Sequence, residues 1–334
     1  MGETIPVTSE IRAAVRDYAD NKLHNTAYLD SKLITLYWLN ENCRKPQDGG
    51  EQLQSSFIES TYTTEGGNSK RTELITGLET IDTSVIDEFD KFQYDWNFTA
   101  TPVIAKLKDT KLHMGGAPEK IFDYWAAKVD SGESRARQDT AYDMWTNTTD
   151  STGKLRGFAM GIRDYRAGSG ITTYGGQTIA ADDGVLDPKE DATVTTLSLG
   201  AMEDLWMKLE QKTDVVITGA TLYAKYWGLL QPQQRFTDTE LAKAGFKNLM
   251  FNTAPVTFDS SLSTSTTIKM AYLAAGDERN KYIEYFVDPG LDFQYENIAD
   301  DTPTQAITIG RYYHACQLMF PGRRWQGCFT ALTG

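Results

Sequence analysis

Residues 115–147, GGAPEKIFDYWAAKVDSGESRARQDTAYDMWTN, decide the fold. Pro118 stands near the first turn of a helical pattern, where its missing N–H is harmless. Phe122, Trp125, Val129, Gly132, Ala136 and Thr140 recur at spacings of three and four, and Met144 and Trp145 extend the stripe. A helix continuous to Asn147 has roughly 30 residues and a length of about 45 Å, far beyond the usual globular helix. Gly132 costs such a helix roughly 1 kcal/mol. Together with Ala136 it lets another backbone come close. The polar run NTTDSTG at 147–153 ends the helix.

Working back from it, residues 91–108 give the strongest strand signal. Phe92, Tyr94, Trp96 and Phe98 alternate with Gln93, Asp95 and Asn97, which predicts one aromatic and one polar face. Pro102 predicts an edge position or a bulge. Residues 51–89 differ in kind: polar, Thr-rich and β-prone, centred on EGGNSKR at 65–71. They hold too few apolar residues to bury both faces of a hairpin. Such a segment is either a loose surface loop or ordered by lying on something else. Its length favours a functional contact loop. Gly66, Gly67, Lys70, Arg71 and Glu73 are its candidate subunit-interface residues, with Lys70 and Arg71 a charge pair for an acidic neighbour. The loop Pro46–Gly50 and two short apolar stretches, 8–22 and 28–39, precede it as an arm.

Downstream, residues 155–162 are apolar with Gly157 and Gly161, and 163–191 form a Gly/Thr/Asp-rich loop containing TYGG at 173–176. Ser198 caps a helix with Leu199, Met202, Leu205, Trp206 and Leu209 on one face. Residues 215–260 form a compact α/β unit. A β-branched run at Val215–Ile217 turns at Gly219 into a helix carrying Leu222, Tyr223, Tyr226, Trp227 and Leu230, stopped by Pro232. Thr237–Glu240 is a capping box for a short helix ending at Gly245. Strand-like pieces at 249–251 and 256–258 are split by Asn252 and Pro255. Gln233, Gln234, Arg235 and Phe236, just past the helix stop, are the second set of candidate interface residues. Further strand-like pieces lie at 268–273, 283–287 and 291–295, and 306–332 is a terminal β region in which 312–320 is almost continuously apolar. The fold class is α+β.

The 334 residues are 40% hydrophobic and 11% aromatic, enough for a substantial core and large packed interfaces. A net charge of −13 argues against nucleic acid as a tightly held ligand, which needs clustered Lys and Arg. No targeting signal is seen, and no apolar run approaches the ~20 residues that span a bilayer. Cys43, Cys316 and Cys328 are an odd, widely spaced set, expected as reduced half-buried thiols. His24, His113 and His314 lie too far apart for a helical or hairpin metal pair. Gly168-Ser169-Gly170 lacks the Lys and flanking strand of a phosphate loop. Asp182, Asp183, Asp187 and Glu190 lack the spacing of a calcium loop. No catalytic residue, metal or cofactor is expected.

The order of short arm, long β loop, aromatic strand, very long helix, α/β unit and terminal β region resembles the major capsid proteins of tailed bacteriophages, the Hong Kong 97-type fold. The resemblance is carried by Asp95-Trp96-Asn97 after Asp87-Glu88-Phe89, by 157–162 with 173–176, by 222–226 through Phe251-Asn252, and by APVTFD at 254–259. It covers most of the chain from Tyr28 onward. It implies an N-terminal arm at 1–50 and an extended β loop at 51–90 lying on a neighbouring subunit. It implies a peripheral domain at 91–154 with a spine helix, an axial domain at 155–290 that points to the capsomer centre, and peripheral strands again at 291–334. It further implies a structural protein, not an enzyme, that assembles with itself into hexamers and pentamers of an icosahedral head around double-stranded DNA. The short arm implies a separate scaffolding protein, and a portal protein is the other expected partner; no membrane is. The head is expected to assemble in the host cytoplasm. A cellular nanocompartment shell of the encapsulin type has the same fold and stays open as the alternative. Another virion protein or an α/β enzyme is a remoter one.

Overall fold

The structure is a computed structural model, and residues 32–58, 89–106, 124–148, 154–164, 171–179, 186–230, 249–264, 267–278, 280–299 and 307–333 are described. Along the chain run α1 (Ile34–Asn42), β1 (Arg44–Pro46), β2 (Gln52–Ile58), β3 (Phe89–Asp95), β4 (Asn97–Lys106), α2 (Tyr124–Thr146) and α3 (Phe158–Ile162). The hairpin β5 (Thr173–Tyr174) and β6 (Gln177–Thr178) follows, then β7 (Lys189–Asp191), α4 (Leu199–Lys208), β8 (Val215–Thr218) and α5 (Ala220–Leu230). The last third holds β9 (Leu249–Phe251), β10 (Ala254–Phe258), α6 (Ser260–Thr264), β11 (Met270–Leu273), the hairpin β12 (Gly276–Asp277) and β13 (Asn280–Lys281), β14 (Glu284–Val287), β15 (Gln294–Ala299), β16 (Ile307–Met319) and β17 (Gly327–Phe329).

Two sheets organise these elements. In the first, β16 is the axis. All of β4 pairs along one edge, from Ile307 opposite Lys106 to Cys316 opposite Asn97. On the other edge β15 pairs with the first half of β16 and β14 with the second, and β1 adds parallel to β14. In the second, the order is β7-β17-β11-β8-β10-β9. Both faces of this sheet are buried, and successive residues feed two cores. Val215, Ile217, Ala271, Leu273 and Cys328 face the core shared with the first sheet. Val216, Met270, Tyr272 and Phe329 face a second core made with α4 and α5, including Leu205, Trp206 and Tyr226. Ser198 Oγ accepts from Ala201 N at 3.2 Å, as its N-cap position requires.

The long helix α2 lies on the first sheet as its stripe predicts. Trp125, Gly132, Ala136, Thr140, Met144 and Trp145 are all buried. The described helix has 23 residues, about 35 Å; Phe122 and the expected start at Pro118 lie outside the described residues. Gly132 allows the close approach: a Cβ there would stand 2.4 Å from Val103 Cγ2 and 3.4 Å from the Tyr312 ring. Helix backbone thus rests directly on β4 and β16.

At its C-terminal end α2 is tied to two other elements through one buried chain of bonds. Trp145 Nε1 donates to Thr35 Oγ1 at 3.1 Å, and the Thr35 hydroxyl donates to Asp259 Oδ2. Asp259 Oδ1 accepts from Ser261 N at 2.7 Å and so caps α6. All three side chains are fully buried. Burial pushes the Asp259 carboxyl above its usual range, against the bonds from Thr35 and Ser261 that favour its charged form.

Three expectations change. The aromatic alternation does not run through to Phe98. Phe92 and Tyr94 are buried, Trp96 interrupts the strand, and then Asn97 is buried and Phe98 is 54% exposed. The phase flips because β3 pairs with β2 while β4 pairs with β16. Pro255 does not divide strands: it sits in β10 opposite Met250, just before pairing to β8 begins at Val256, so its missing N–H leaves no ladder bond unmade. β14 lies in the first sheet and β17 in the second. The cysteines are fully rather than half buried, at 0–1% exposure.

Thr35→Val removes the acceptor of Trp145 and the hydroxyl bond to a buried carboxylate. It is expected to lower unfolding free energy by about 1–3 kcal/mol, measured by urea denaturation. Gly132→Val is expected to cost about 1–3 kcal/mol by overpacking, with part recovered when Val103→Ala is added.

Candidate assembly surfaces

Every candidate interface residue of the sequence lies outside the described residues: Gly66, Gly67, Lys70, Arg71 and Glu73 between β2 and β3, and Gln233, Gln234, Arg235 and Phe236 between α5 and β9. The capping box at 237–240, the first half of the arm and the acidic pair Asp182-Asp183 are likewise outside them. The structure does describe how both segments are rooted.

The first root is the antiparallel ladder of β2 and β3, from Gln52 opposite Asp95 to Ile58 opposite Phe89. Leu53 and Phe92 are fully buried, and Tyr94 is 4% exposed. Phe92 and Tyr94 meet the Tyr174-Gly175-Gly176 turn. Tyr174 makes edge-on contacts with Phe92 at 5.0 Å and Tyr94 at 5.4 Å between centroids. Gly175 N donates to Tyr94 Oη at 2.8 Å, and Gln93 N donates to Gly175 O at 3.0 Å. Gly175 has φ +59°, and a Cβ there would stand 2.6 Å from Phe92. Glycine is therefore required on both conformational and packing grounds. Two buried or half-buried guanidiniums close the root, Arg156 over Tyr94 at 4.3 Å and Arg323 over Tyr174 at 4.5 Å. Arg323 is fully buried, and its Nε and Nη2 donate to Gly161 O and Arg163 O, both at 3.1 Å. Gln317 completes the junction. Its amide accepts from Arg156 N at 2.8 Å and donates to Asp95 O at 2.9 Å and Lys154 O at 3.1 Å.

The second root is the pair α5 and the β9–β10 hairpin. Tyr226 Oη donates to Met250 O at 2.7 Å, and Asn252 takes φ +50° in the hairpin turn. Burial raises the Tyr226 phenol to about 12, so it stays a donor.

A third surface was not foreseen. The face of β4 away from α2 carries Phe98, Ala100, Pro102 and Ile104, all exposed, the first and last at 54% and 53%. Across the ladder stand Ile309, Arg311 and Tyr313, with Phe98 stacked on Tyr313 at 5.5 Å between centroids. Apolar groups on this outer face with Arg311 among them match the composition of protein interfaces. The signal was present as alternation in 97–106, but in the opposite phase to 92–96.

Chemistry is sparse among the described residues, which hold no cluster of three or more His, Cys, Asp or Glu side chains suited to a metal. Burial holds the Cys43 and Cys316 thiols at about 12 and Cys328 well above its usual value, so none is a thiolate at neutral pH. A polar recess of about 340 Å³ is lined by Asn97, Asp143, Thr146, Asn147, Lys154 and Leu155. Its hydroxyl, Thr146 Oγ1, is spent on Tyr142 O at 2.9 Å. Burial and then the neighbouring Asp139 raise the Asp143 carboxyl. No described helix is long and apolar enough to cross a membrane.

No family model matches the chain, and no curated protein matches it. Solved structures do. The holo-SrpI encapsulin of Synechococcus elongatus superposes with a TM-score of 0.59 at 8% identity, covering 95% of each chain. The capsid of cyanophage A-1(L) gives 0.59 at 12% identity, over 98% of this chain and 99% of that one. The structure of Mycobacterium phage Bobi gives 0.55 at 10% identity over 94% of each. With the long helix laid on a β16-centred sheet, the rooted hairpin and the two-faced α/β sheet, the chain has the Hong Kong 97-type capsid fold.

Proposed function

We propose that this chain is a structural shell protein, the major capsid protein of a tailed-phage head. In this reading it assembles with itself into hexamers and pentamers of an icosahedral shell around double-stranded DNA, in the host cytoplasm. The observation that carries the reading is end-to-end likeness to shell proteins, 94–99% of both chains in the three comparisons above, without a competing site among the described residues. Two long segments, 59–88 and 231–248, spring from rigid roots, and we assign the subunit contacts to them, through Gly66, Gly67, Lys70, Arg71 and Glu73 and through Gln233, Gln234, Arg235 and Phe236. The outer face of β4 and β16 is a third contact. A net charge of −13 suits an inner wall to which packaged DNA does not adhere. A scaffolding protein and a portal protein are the further partners.

An encapsulin-type compartment is the second reading, supported by the superposition on the Synechococcus elongatus shell at the same TM-score as the cyanophage capsid. The two part on cargo.

Electron microscopy of the chain expressed with its neighbouring reading frames is expected to find closed shells. Nuclease-resistant double-stranded DNA inside them supports the phage head, and a co-purifying enzyme supports the compartment. A strictly monomeric chain under every co-expression condition overturns both. Deleting 63–71, or replacing Phe98 and Ile104 by Ser, is expected to leave subunit stability within about 0.5 kcal/mol and to abolish or weaken assembly. Shells of normal size and stability from the deletion variant remove that segment from the contacts.

A further inference from the structure

His314 is the one described histidine, and the proposed function makes no use of it. It lies in β16 at 2% exposure. Its ring stacks on Phe293, centroids 3.9 Å apart and planes 10° apart. On Phe293 in turn rests Arg137 of α2, its guanidinium 4.5 Å from the ring centroid and held by Glu133 at 2.8 Å. Phe293 has φ +49°, a left-handed conformation that a bulky non-glycine residue adopts only when its surroundings hold it there. The adjacent Asp292 pairs with Arg44 of β1 at 2.7 Å and stands 3.5 Å from His314 Nδ1. Tyr285 Oη of β14 is 3.0 Å from His314 Nε2. The long helix, β1, β14 and a strained turn therefore meet at one imidazole.

We propose that Arg137, Phe293 and His314 form an acid-sensitive latch that holds the long helix and β1 on the first sheet while His314 is neutral and releases them when it is protonated. Burial of the ring sets the direction, and the groups facing it are divided. Arg137 from α2 and Arg44 from β1 oppose a positive imidazole. Asp292 favours it but is already engaged by Arg44, and Glu133 is engaged by Arg137. β14 and β16 offer the phenol of Tyr285 and the thiol of Cys316, both held neutral by burial. β4 offers only Thr99, bonded to His314 O. Asp292 turns Oδ2 to Arg44 and Oδ1 to His314, so a protonated His314 competes with Arg44 for the charge of one carboxylate, which loosens β1, or leaves the stack, which frees Arg137 and lets Phe293 relax.

Burial, with Arg137 and Arg44 adding to it, lowers the His314 imidazole to about 4 from an ordinary 6.5. A base with a depressed pKa in the closed form stabilises that form fully above about 6.5, and the contribution is lost as pH falls from there toward 4. Each pH unit in that window shifts the closed-to-open ratio by up to about tenfold.

The test is amide hydrogen exchange of the full-length chain at pH 7.5 and 4.5, corrected for intrinsic rates. The amides of residues 124–146 and of Arg44 and Lys45 are expected to lose tenfold or more protection at pH 4.5 relative to β8 and β11, and H314Q is expected to remove that loss. Unchanged helix protection, an equal fall in β8 and β11, or the same fall in H314Q overturns the latch. If H314Q fails to fold, the wild-type ring titration followed by NMR decides. A His314 midpoint below 5 with Phe293 ring shifts moving in step supports the latch, and a midpoint near 6.5 or immobile Phe293 shifts overturn it.

Discussion

The bond chain from Trp145 through Thr35 to Asp259 is the point on which the rest of the architecture hangs. It joins the end of the long helix, the helix α1, and the turn that leads out of the second sheet. Each partner is fully buried, so each bond is made where water cannot replace it. Stacking of Trp145 on Phe158 at 4.3 Å, and of Phe158 edge-on to Phe320 at 5.7 Å, carries the junction on to the end of β16. Apolar packing alone is tolerant of small rotations. A satisfied polar chain is not, and here it fixes the angle at which helix and both sheets meet.

That angle matters because the second sheet serves two cores at once. The alternation within β8, β11 and β17 sends Val215, Ile217, Ala271, Leu273 and Cys328 toward the core that holds the long helix, and Val216, Met270, Tyr272 and Phe329 toward α4 and α5. Displacing the sheet disturbs both cores, so the two halves of the molecule move as one block unless something is built to yield. The buried amides act in the same sense. Gln317 ties Asp95, Lys154 and Arg156 together, and Gln326 bonds both the N–H and the C=O of Ala274. These are polar groups used as struts.

Much of the fold was legible in the sequence because it is written in period. The stripe from Trp125 to Trp145 and the helix capped by Ser198 both follow from apolar spacing, and the short runs 215–217, 249–251 and 283–287 all form strands. What was not legible follows from partner choice. Nothing in residues 92–98 announces that pairing passes from β2 to β16 at Trp96, which turns Phe98 outward. Nor does sequence announce that Arg44–Pro46 will lie beside Tyr285–Val287, or that Gly327–Phe329 will leave the first sheet for the second. Single polar residues such as Thr35, Asp259 and Gln317 carry no periodic signal, although an Asp directly before Ser260-Ser261 has the form of an N-cap. Of the surfaces, the two segments named from sequence are seen only by their roots, and the exposed face of β4 and β16 needed the register to be found.

The ladder of β2 and β3 is held stiffly at its base. The Tyr94–Gly175–Tyr174 contact, backed by two guanidiniums and by Gln317, supplies that stiffness at a cost in sequence freedom: Gly175 tolerates no side chain, and Arg323 needs two carbonyls. An enzyme concentrates such constraints around a cleft. Among its described residues this chain concentrates them at the β2–β3 ladder and at the joint between its sheets. Constraint is therefore spent on holding surfaces at fixed angles to one another, as the proposed shell subunit requires.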